Sequence, residues 1–542
     1  MIRGSELIPR LGVLVALAVI LGVPWLFRPE SARVPDGAQR LVIITPHNEQ
    51  IRSEFAAGFD RWHRQHFGAP VVIDWRAPGG TSEIRRLLIA QYTAALRTGR
   101  ITPQGELRPG AEPMPYDLLF GGGSYEHGEI KRGVRAAPPG TDKEIALPIS
   151  APLGLPAEKL DELFGENLIG VSPLYDPGDP SRQDPGQHWL ACAVSGFGIV
   201  FNRPVLRRLG LGDPTTWAEL TDPRLMGWVA LADPRQSGSV ATTYESILNS
   251  YDWDDGWRIL RAMSANARYF SNSSQKVPLD VSQGQAAVGT AIDFYGRYQS
   301  QAMMKPGETP DTARVGYVDP PGVVFIDPDP ISLLRGGPNE QLARRFIDFT
   351  LSLEGQALWN FPARGEQPGL GPARFELRRM PIRRVMYTDP DLASRLVDKV
   401  NPYEAASRAP NRGWRSAINP MMGAFSIDIH DEQRQAWAAI DRARARGADP
   451  DLVRRAEELF FAWPTHVIPP TADTPAQTLP FTKDTYKAIR ADWREAEKDG
   501  RMPAIRIAYT SFFRDSYRTI VRMLDETHAP GVAHAPATGA AQ

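Results

Sequence analysis

Four short segments of this sequence combine glycine with hydroxyl-bearing or polar residues, and each follows an apolar run of strand length at once or after a brief turn. Glycine lets the backbone approach a ligand closely, Ser and Thr add hydroxyl groups, and the free amides of a following helix attract an anion. Each segment alone is more typical of a turn or a helix cap, but their recurrence indicates a site for a small polar solute. The segments are Thr45-Pro46-His47-Asn48, Gly79-Gly80-Thr81-Ser82, Gly121-Gly122-Gly123-Ser124-Tyr125 and Ser237-Gly238-Ser239.

Enzyme motifs are absent or incomplete in the sequence. The residues from Gly122 onward approach the turn that carries a nucleophilic serine, but Glu126 stands where that motif needs its closing glycine. No phosphate-binding loop of the G-x-x-x-x-G-K-[ST] type and no H-E-x-x-H occurs. His63 and His66 have the spacing of a metal pair on a helix, but a solvated or core-edge face is the commoner reason for it. The sequence therefore predicts a binding protein, not an enzyme, with no cofactor.

Charge and cysteine content exclude further classes of protein. The 542 residues contain 62 Lys and Arg against 63 Asp and Glu, which gives a formal net charge of -1 at pH 7. This balance argues against a nucleic-acid partner. Cys192 is the single cysteine, so an internal disulfide and a cysteine-based zinc or iron–sulfur site are excluded.

An alternation of strands and helices positions the first three segments. Apolar runs at 41–45, 71–75 and 116–120 predict strands, and apolar residues recur at helical spacing over 51–66 and 84–96. This order predicts a right-handed β-α-β-α-β sheet. In such a sheet the ligand crevice lies outside the carboxyl ends of the strands, where the polar segments fall.

A second α/β lobe follows a Pro-rich passage. Extended runs at 193–202 and 286–292 belong to it, and the second of them ends at Asp293. Further on, Asp327-Pro328-Asp329-Pro330 is interpreted as a pair of turns that interrupts extended structure. Beyond about Phe375 the strand signals fade, and helical patterns dominate.

The first 28 residues are interpreted as an export signal. Leu11 to Phe27 is a run of 17 residues without a charge, preceded by Arg3 and Arg10. Its length fits both a short membrane-spanning helix and a signal peptide. Glu30 lies where a signal peptidase requires a small residue, which favours an uncleaved anchor over a cleaved signal. The sequence thus predicts a periplasmic or extracytoplasmic protein, tethered to the inner membrane by this segment.

Several motifs occur between residues 195 and 356. They are Ser195-Gly-Phe-Gly-Ile-Val-Phe-Asn202, Thr216-Trp217-Ala-Glu-Leu220, Asp233-Pro234-Arg-Gln-Ser237-Gly-Ser239 and Ser352-Leu-Glu-Gly355-Gln356. With them the chain resembles the extracellular solute-binding proteins of ABC importers, in particular their iron(III)-type branch, over about residues 40–375. The resemblance implies a two-lobed type II periplasmic-binding fold, a small-molecule or ion ligand held between the lobes, and ABC transporter permease subunits as partners.

By the same resemblance, two sets of residues would line the cleft between the lobes. One lobe would contribute Thr45, His47, Asn48, Gly80, Thr81, Ser82, Gly123, Ser124 and Tyr125, and the other Ser195, Gly196, Ser237, Gly238, Ser239, Asp293 and Tyr295. Iron-binding members present adjacent tyrosines near the end of the second lobe, whereas this chain has Asp293-Phe294-Tyr295, which argues against ferric iron. A hard-metal site of Tyr295, Asp293 and His47 stays open beside the binding of a small organic ligand.

The chain is expected to divide into six parts. These are a signal or membrane anchor with a linker (1–39), the first part of lobe 1 with a crossover (40–190), lobe 2 (191–295), a return to lobe 1 (296–375), a mainly helical extension (376–528) and a disordered tail (529–542). The expected function is the capture of a small polar, anionic or metal-containing ligand for an ABC-type importer. A periplasmic ligand-sensing receptor and an unrecognised extracytoplasmic enzyme are the alternatives.

Overall fold

The computed structural model of the protein describes residues 37–309, 311–320, 322–470 and 474–526. The apolar N-terminal segment predicted as a signal or anchor, and the tail predicted to be disordered, lie outside these residues. Within them, no helix combines the length and the apolar composition needed to cross a membrane.

Most strands of the described residues belong to one large mixed sheet. In chain order the strands are β1 Gln39–Ile44, β2 Val71–Arg76, β3 Leu118–Phe120, β4 Val134–Ala136, β5 Ile145–Leu147, β6 Ser150–Ala151, β7 Leu190–Asn202, β8 Val229–Ala232, β9 Ala267–Ser271, β10 Val288–Ile292, β11 Val315–Val318, β12 Ile326–Leu334, β13 Met380–Pro381, β14 Thr465–Ile468 and β15 Gln477–Pro480. Across the large sheet the order is β2-β1-β3-β12-β7-β10-β8-β9, with β11 and β13 beside β7 and β6 beside β12. The pairs β4-β5 and β14-β15 form two small separate sheets.

Helices flank this sheet and fill most of the C-terminal region. In chain order they are α1 Glu49–Phe67, α2 Thr81–Arg97, α3 Ser124–Arg132, α4 Ala157–Phe164, α5 Arg203–Arg208, α6 Gly238–Ala265, α7 Lys276–Ser282, α8 Asp293–Ala302, α9 Glu340–Leu351, α10 Leu353–Asn360, α11 Val385–Thr388, α12 Pro390–Arg395, α13 Pro402–Ala405, α14 Arg415–Phe425, α15 His430–Ala445, α16 Pro450–Phe461, α17 Tyr486–Asp499 and α18 Met502–Glu526.

Lobe 1 is built on β1, β2 and β3, which pair in parallel with β1 in the centre. Since α1 and α2 connect these strands, the predicted β-α-β-α-β arrangement is confirmed. Phe55 and Phe59 of α1 share one buried cluster with Phe346 and Trp359. Leu88 of α2 belongs to a second cluster. The loops after the three strands therefore meet at one edge of the sheet.

Lobe 2 contains β8 to β11 with α6, α7 and α8, and its hydrophobic core continues into the C-terminal helices. Trp253 and Trp257 of α6 lie in the same buried cluster as Phe425, Phe460 and Leu524. The prediction of a two-lobed α/β fold with a mainly helical C-terminal region is confirmed, and this region packs as part of lobe 2.

Buried Arg261 of α6 marks the boundary between lobe 2 and the C-terminal helices. Its guanidinium donates hydrogen bonds to the carbonyl oxygens of Phe460 and Ala462. The same guanidinium lies 4.9 Å from the ring centroid of Phe513 and 5.0 Å from that of Trp463. Because both of these hydrogen bonds are to residues after 459, α6 and the C-terminal helices depend on one another.

Strand β7 joins the two lobes. Its first half pairs with β12 as far as Gly196, and its second half pairs with β10 from Phe197 onward. β12 runs antiparallel to β7 and carries the chain back to lobe 1, where it also pairs with β3. Gly196 thus lies where β7 changes its partner.

The prediction of Asp-Pro turns at 327–330 is wrong, because these residues lie inside β12. A proline has no amide hydrogen for a neighbouring strand. Pro328 and Pro330 are accommodated because the register with β7 shifts between Asp329 and Pro330, and because β3 pairs only with Ile331 to Leu333. The aspartates are consequently buried strand residues.

Candidate ligand-binding cleft

A cavity of about 410 Å³ lies between the two lobes, at the carboxyl ends of β1 and β2 and at the start of α6. Its size suits a small molecule. The lining residues come from both lobes and from the strand β12. They include Pro46, His47, Asn48, Glu49, Arg52, Gly80, Thr81, Glu83, Gly122, Gln236, Ser237, Ser239, Asn272, Ser273, Ser274, Gln275, Phe294, Tyr295, Asp329 and Arg379.

Three ionisable side chains meet at one wall of the cavity. Nε2 of His47 lies 2.8 Å from Oδ2 of Asp329, and Nη1 of Arg379 lies 2.6 Å from the same oxygen. All three side chains are almost fully buried. Nε of Arg379 also donates to Oγ of Ser195 at 2.9 Å, and its guanidinium carbon lies 4.3 Å from the ring centroid of Phe294. Arg379 therefore joins residues of both lobes.

Burial sets the protonation of this group. It lowers the pKa of His47 in spite of the neighbouring Asp329 carboxylate. Burial alone would raise the pKa of Asp329, but Arg379 and His47 together hold it below its ordinary value. Nε2 of His47 lies within hydrogen-bond distance of both Oδ2 of Asp329 and Nη1 of Arg379, at 2.8 and 3.0 Å, and its buried Nδ1 has no hydrogen-bond partner among the described residues.

The amino ends of two helices meet at the cavity. α2 begins at Thr81 and α6 at Gly238, and neither preceding residue, Gly80 or Ser237, caps its helix through a side chain. The backbone amide of Gly238 donates to Oγ1 of Thr81 at 3.2 Å, which links the lobes directly. First-turn amides without caps favour an anion or an oxygen-rich group.

The lobe 2 wall consists mainly of neutral polar side chains. Ser237 and Ser239 lie within hydrogen-bond distance through their Oγ atoms, 2.9 Å apart. Gln275 donates from Nε2 to the phenol oxygen of Tyr295 at 2.8 Å. Burial raises the pKa of Tyr295 to about 12, so the phenol keeps its proton at neutral pH. A protonated phenol is a hydrogen-bond donor and not a metal-binding phenolate.

Several of the residues predicted for the site line this cavity, and the structure brings them together from both lobes. They are His47, Asn48, Gly80, Thr81, Ser237, Ser239 and Tyr295. Their role as ligand contacts stays a prediction.

Other predicted residues lie behind the lining. Oγ1 of Thr45 donates to the carbonyl of Phe120 and accepts from the amide of His47, at 2.6 and 3.1 Å. Ser124 donates its amide and its hydroxyl to Asp327, at 3.0 and 2.7 Å. The rest of this group comprises buried Ser82 on the first turn of α2, Gly123 before α3, partly exposed Tyr125, Ser195 and Gly196 on β7, and Gly238 at the start of α6.

Asp293, another residue predicted for the site, is completely buried and does not line the cavity. Its Oδ2 lies 3.3 Å from Nη1 of Arg297, and burial raises its pKa to about 7. The structure does not bring Asp293, Tyr295 and His47 together as a metal site, since Asp293 is engaged with Arg297 and does not line the cavity.

Sequence reasoning missed Arg52, Asp329, Arg379 and the polar run 272–275. The run 272–275 follows β9 directly, so the rule of polar residues after a strand would have found it. Arg379 lies in the part expected to be a mainly helical extension, and Asp329 was interpreted as a turn residue. No local pattern marked either of them, because their partnership depends on the pairing of β13 and β12 with β7.

One further group of metal-ligand side chains occurs in the described residues, formed by Asp176, Asp184 and His188. Nζ of Lys131 lies 2.6 Å from Asp176 and 2.5 Å from Asp184. The lysine ammonium therefore neutralises this group as a structural ion pair.

Residues 167–372 match the model of a family described as bacterial extracellular solute-binding protein. Over these residues the chain is similar to the bacterial extracellular solute-binding proteins. The resemblance seen in the sequence is thereby confirmed.

Two curated relatives match part of this chain. The phosphoglycerate transport regulatory protein PgtC of Salmonella typhimurium is 26% identical over 264 residues, which are 47% of this chain and 58% of PgtC. An uncharacterized protein of Haemophilus influenzae is 28% identical over 166 residues, which are 30% of this chain and 45% of that protein. The chain thus spans about half the length of the curated relatives it matches.

Among solved structures, the periplasmic binding protein AfuA from Actinobacillus pleuropneumoniae, with fructose-6-phosphate bound, is 17% identical to this chain at a TM-score of 0.47. The match covers 71% of this chain and 97% of AfuA. A substrate-binding protein of an ABC transporter from Agrobacterium tumefaciens is 15% identical at a TM-score of 0.48, over 74% of this chain and 95% of that protein.

Proposed function

We propose that this protein captures a small anionic, hydroxyl-bearing solute between its lobes outside the cytoplasm and delivers it to an ABC-type importer. The observation that carries the proposal is the interlobe cavity, where uncapped helix amides from both lobes and the half-buried Arg52 surround a space of about 410 Å³. A cavity of this size suits a small-molecule ligand.

The lining favours a ligand that combines an anionic group with hydroxyls. Arg52 and the amides of Thr81 and Ser239 suit a phosphate or carboxylate, while Glu49 and Glu83 offer acceptors for hydroxyl groups. The relative named for phosphoglycerate transport regulation supports the same class of solute. Phosphoglycerate, with one phosphate, one carboxylate and one hydroxyl, is therefore the first probe.

Closure of the lobes depends on their close approach at Gly80. A Cβ atom added there would lie 2.4 Å from the carbonyl oxygen of Gln236 in lobe 2. Its backbone conformation, φ of -73°, is ordinary for alanine. The variant Gly80→Ala should thus obstruct closure without straining lobe 1.

The test measures phosphoglycerate, inorganic phosphate and ferric citrate binding by calorimetry, with the co-purified ligand identified by native mass spectrometry. Gly80→Ala is expected to weaken binding of the retained solute at least tenfold, while Gly128→Ala, where an added Cβ meets nothing within 4 Å, should bind like the wild type. Equal binding by wild type and Gly80→Ala would contradict capture in this cleft.

We also propose that the N-terminal apolar segment, Leu11 to Phe27, tethers the protein to the inner membrane. Intact N-terminal sequence in the membrane fraction is the expected result. A mature protein that begins near residues 30–37 would instead mean a cleaved signal peptide and a free periplasmic protein.

A sensing receptor is the second candidate, because the curated relative is named a transport regulatory protein. In that case the closed protein would contact a membrane signalling protein in place of a permease. Cross-linking in membranes, followed by identification of the linked partner, distinguishes the two: a permease supports delivery, and a histidine kinase or similar receptor supports sensing.

A further inference from the structure

The chain passes between the lobes three times. The first two crossings are β7 and the segment before β12, and the third lies between α12 and α14. The amide of Val397 donates to the carbonyl of Asn360 in lobe 1 at 2.8 Å. Fifteen residues later, the amide of Arg412 donates to Oδ1 of Asn249 on α6 in lobe 2 at 3.2 Å. Helix α14 begins directly after this crossing, at Arg415.

Helix α14 belongs firmly to lobe 2. Its side chains Ile418, Met421 and Met422 are fully buried in the cluster that contains Tyr244 and Trp257 of α6. A side chain at the first residue of α14 therefore moves with lobe 2 when the lobes separate.

On the lobe 2 side, Arg415 is held by three groups of α6. Its Nη1 donates to Oγ1 of Thr242 at 2.6 Å, and its Nη2 donates to the carbonyl of Gly238 at 2.8 Å. Oε2 of Glu245 lies 3.6 Å from Nη1. These contacts fix the first turn of α6, which lines the cleft with Ser237 and Ser239.

On the lobe 1 side, the same guanidinium meets two residues of α3. Nη2 lies 3.4 Å from Oε1 of Glu126, and the guanidinium carbon lies 4.9 Å from the ring centroid of Tyr125. Arg415 and Glu126 are both buried, and Oε2 of Glu126 has no hydrogen-bond partner. The Glu126 carboxylate thus depends on Arg415 for its charge balance as long as the lobes stay together.

We propose that Arg415 is a positioning residue for ligand capture, through which the C-terminal region holds the two lobes closed. Separation of the lobes would leave Arg415 with its lobe 2 partners and would remove Glu126 from its counterion. The free energy of closure therefore includes the Arg415–Glu126 contact, and the ligand and the C-terminal region act on the same equilibrium. This inference rests on the proposed binding of ligand between the lobes.

The experiment follows the distance between the lobes directly. Cysteines at exposed Arg97 of α2 and Asp254 of α6 accept spin labels, while buried Cys192 does not interfere. Arg415→Gln and Glu126→Gln are each expected to shift the distance distribution of the ligand-free protein to longer values. Each should also weaken phosphoglycerate binding about fivefold, and the double variant should bind no more weakly than either single variant.

Arg412→Gln is the matched control, because Arg412 is near Arg415 in sequence but has a different contact. Its guanidinium carbon lies 5.4 Å from the ring centroid of Trp414. Its distance distribution and affinity should equal those of the wild type. Unchanged distributions in both Arg415→Gln and Glu126→Gln would overturn the inference, and Glu126→Gln alone decides it if Arg415→Gln fails to fold.

The distance measurement needs no ligand, so it separates this inference from the proposed function. Longer distances in the variants of a protein that binds no phosphoglycerate would support the role of Arg415 and reject that ligand. Wild-type distances with normal binding would leave capture in the cleft intact and reject the role of Arg415.

Discussion

The two walls of the cleft differ in the kind of polar group they present. The lobe 1 wall, together with β12 and Arg379, carries charged residues and the buried His47; the charged residues are Glu49, Arg52, Glu83, Asp329 and Arg379. The lobe 2 wall carries hydroxyl and amide side chains, from Gln236 to Ser239, over 272–275 and at Tyr295.

This difference assigns separate tasks to the lobes. Charged groups act over a longer range than hydrogen bonds, so we expect the Arg52 guanidinium of lobe 1 to meet an anionic ligand before the lobes close. Hydroxyl and amide groups act only at hydrogen-bond distance, so lobe 2 would add its contacts when the lobes close. Variants of the two walls should therefore differ in stability, in salt dependence and in pH dependence.

The largest effect is expected from Arg379→Gln, because it leaves the Asp329 carboxylate buried without its guanidinium. Loss of one partner of a buried ion pair costs about 3–5 kcal/mol in the free energy of unfolding, which urea denaturation measures. Exposed Arg374→Gln, the control, should unfold like the wild type. The double variant with Asp329→Asn should regain part of the loss, and a double variant no better than Arg379→Gln would contradict this account.

Two buried residues, one in each lobe, should make the free energy of unfolding depend on pH in opposite directions. Burial lowers the pKa of His127 in lobe 1 to about 4, and burial raises the pKa of Asp293 in lobe 2 to about 7. As the pH falls from about 6.5 to 4, His127 takes up a proton in the unfolded protein but not in the folded one. The free energy of unfolding therefore decreases as the pH falls through this range. As the pH rises from about 4 to 7, Asp293 releases its proton in the unfolded protein but not in the folded one. The free energy of unfolding therefore decreases as the pH rises through this range.

The measurement compares urea denaturation of His127→Gln, Asp293→Asn and wild type between pH 4 and 7.5. The difference in the free energy of unfolding between wild type and His127→Gln should be largest above pH 6.5. The difference between wild type and Asp293→Asn should be largest near pH 4. Each difference should change by on the order of 2–4 kcal/mol, since one pKa unit corresponds to about 1.4 kcal/mol. Parallel curves for the three proteins would show that neither group titrates in this way.

Arg52→Gln should affect binding rather than stability, because the side chain is only half-buried and donates a single long hydrogen bond, 3.4 Å from Nε to the carbonyl of Asn48. We expect the affinity for phosphoglycerate to fall about tenfold, since a hydrogen bond to a charged group contributes about 1.5–3 kcal/mol. The dependence of affinity on salt should also become shallower. Arg64→Gln, on the same helix but paired with Asp60 at 2.9 Å, should retain both properties.

Ser237→Ala is expected to have the smallest effect, a loss of affinity of about fivefold, because a neutral hydrogen bond contributes about 1 kcal/mol. Its salt dependence should match that of the wild type, as should the affinity of the exposed control Ser394→Ala. A loss as large as that of Arg52→Gln, with an altered salt dependence, would mean that the two walls do not divide their tasks in this way.

The neutral wall could be predicted from the sequence much better than the charged one. Ser237 and Ser239, like Gly80 and Thr81, lie next to the ends of strands, and local chain geometry alone places such residues at the cleft. The alternation of apolar runs and helical spacing likewise predicted the order of elements in lobe 1, since short-range periodicity determines it.

Arg379 and Asp329 could not be found in this way. They meet because β13 and β12 both pair with the first half of β7, and such long-range pairing leaves no local pattern in the sequence. The Pro residues on either side of Asp329 even favoured a turn, and only the register shift within β12 makes the strand compatible with them.

The shared core of lobe 2 has a consequence for the order in which the protein folds during synthesis. The main cluster of lobe 1 is complete once Ile382 has been made, whereas the cluster of lobe 2 contains residues as late as Leu524. Domains generally fold as units, starting from the N-terminus. The core of lobe 2 is therefore incomplete until α18 has emerged. A chain truncated before α18 would be a substrate for chaperones and proteases, although every residue that lines its cleft is already present.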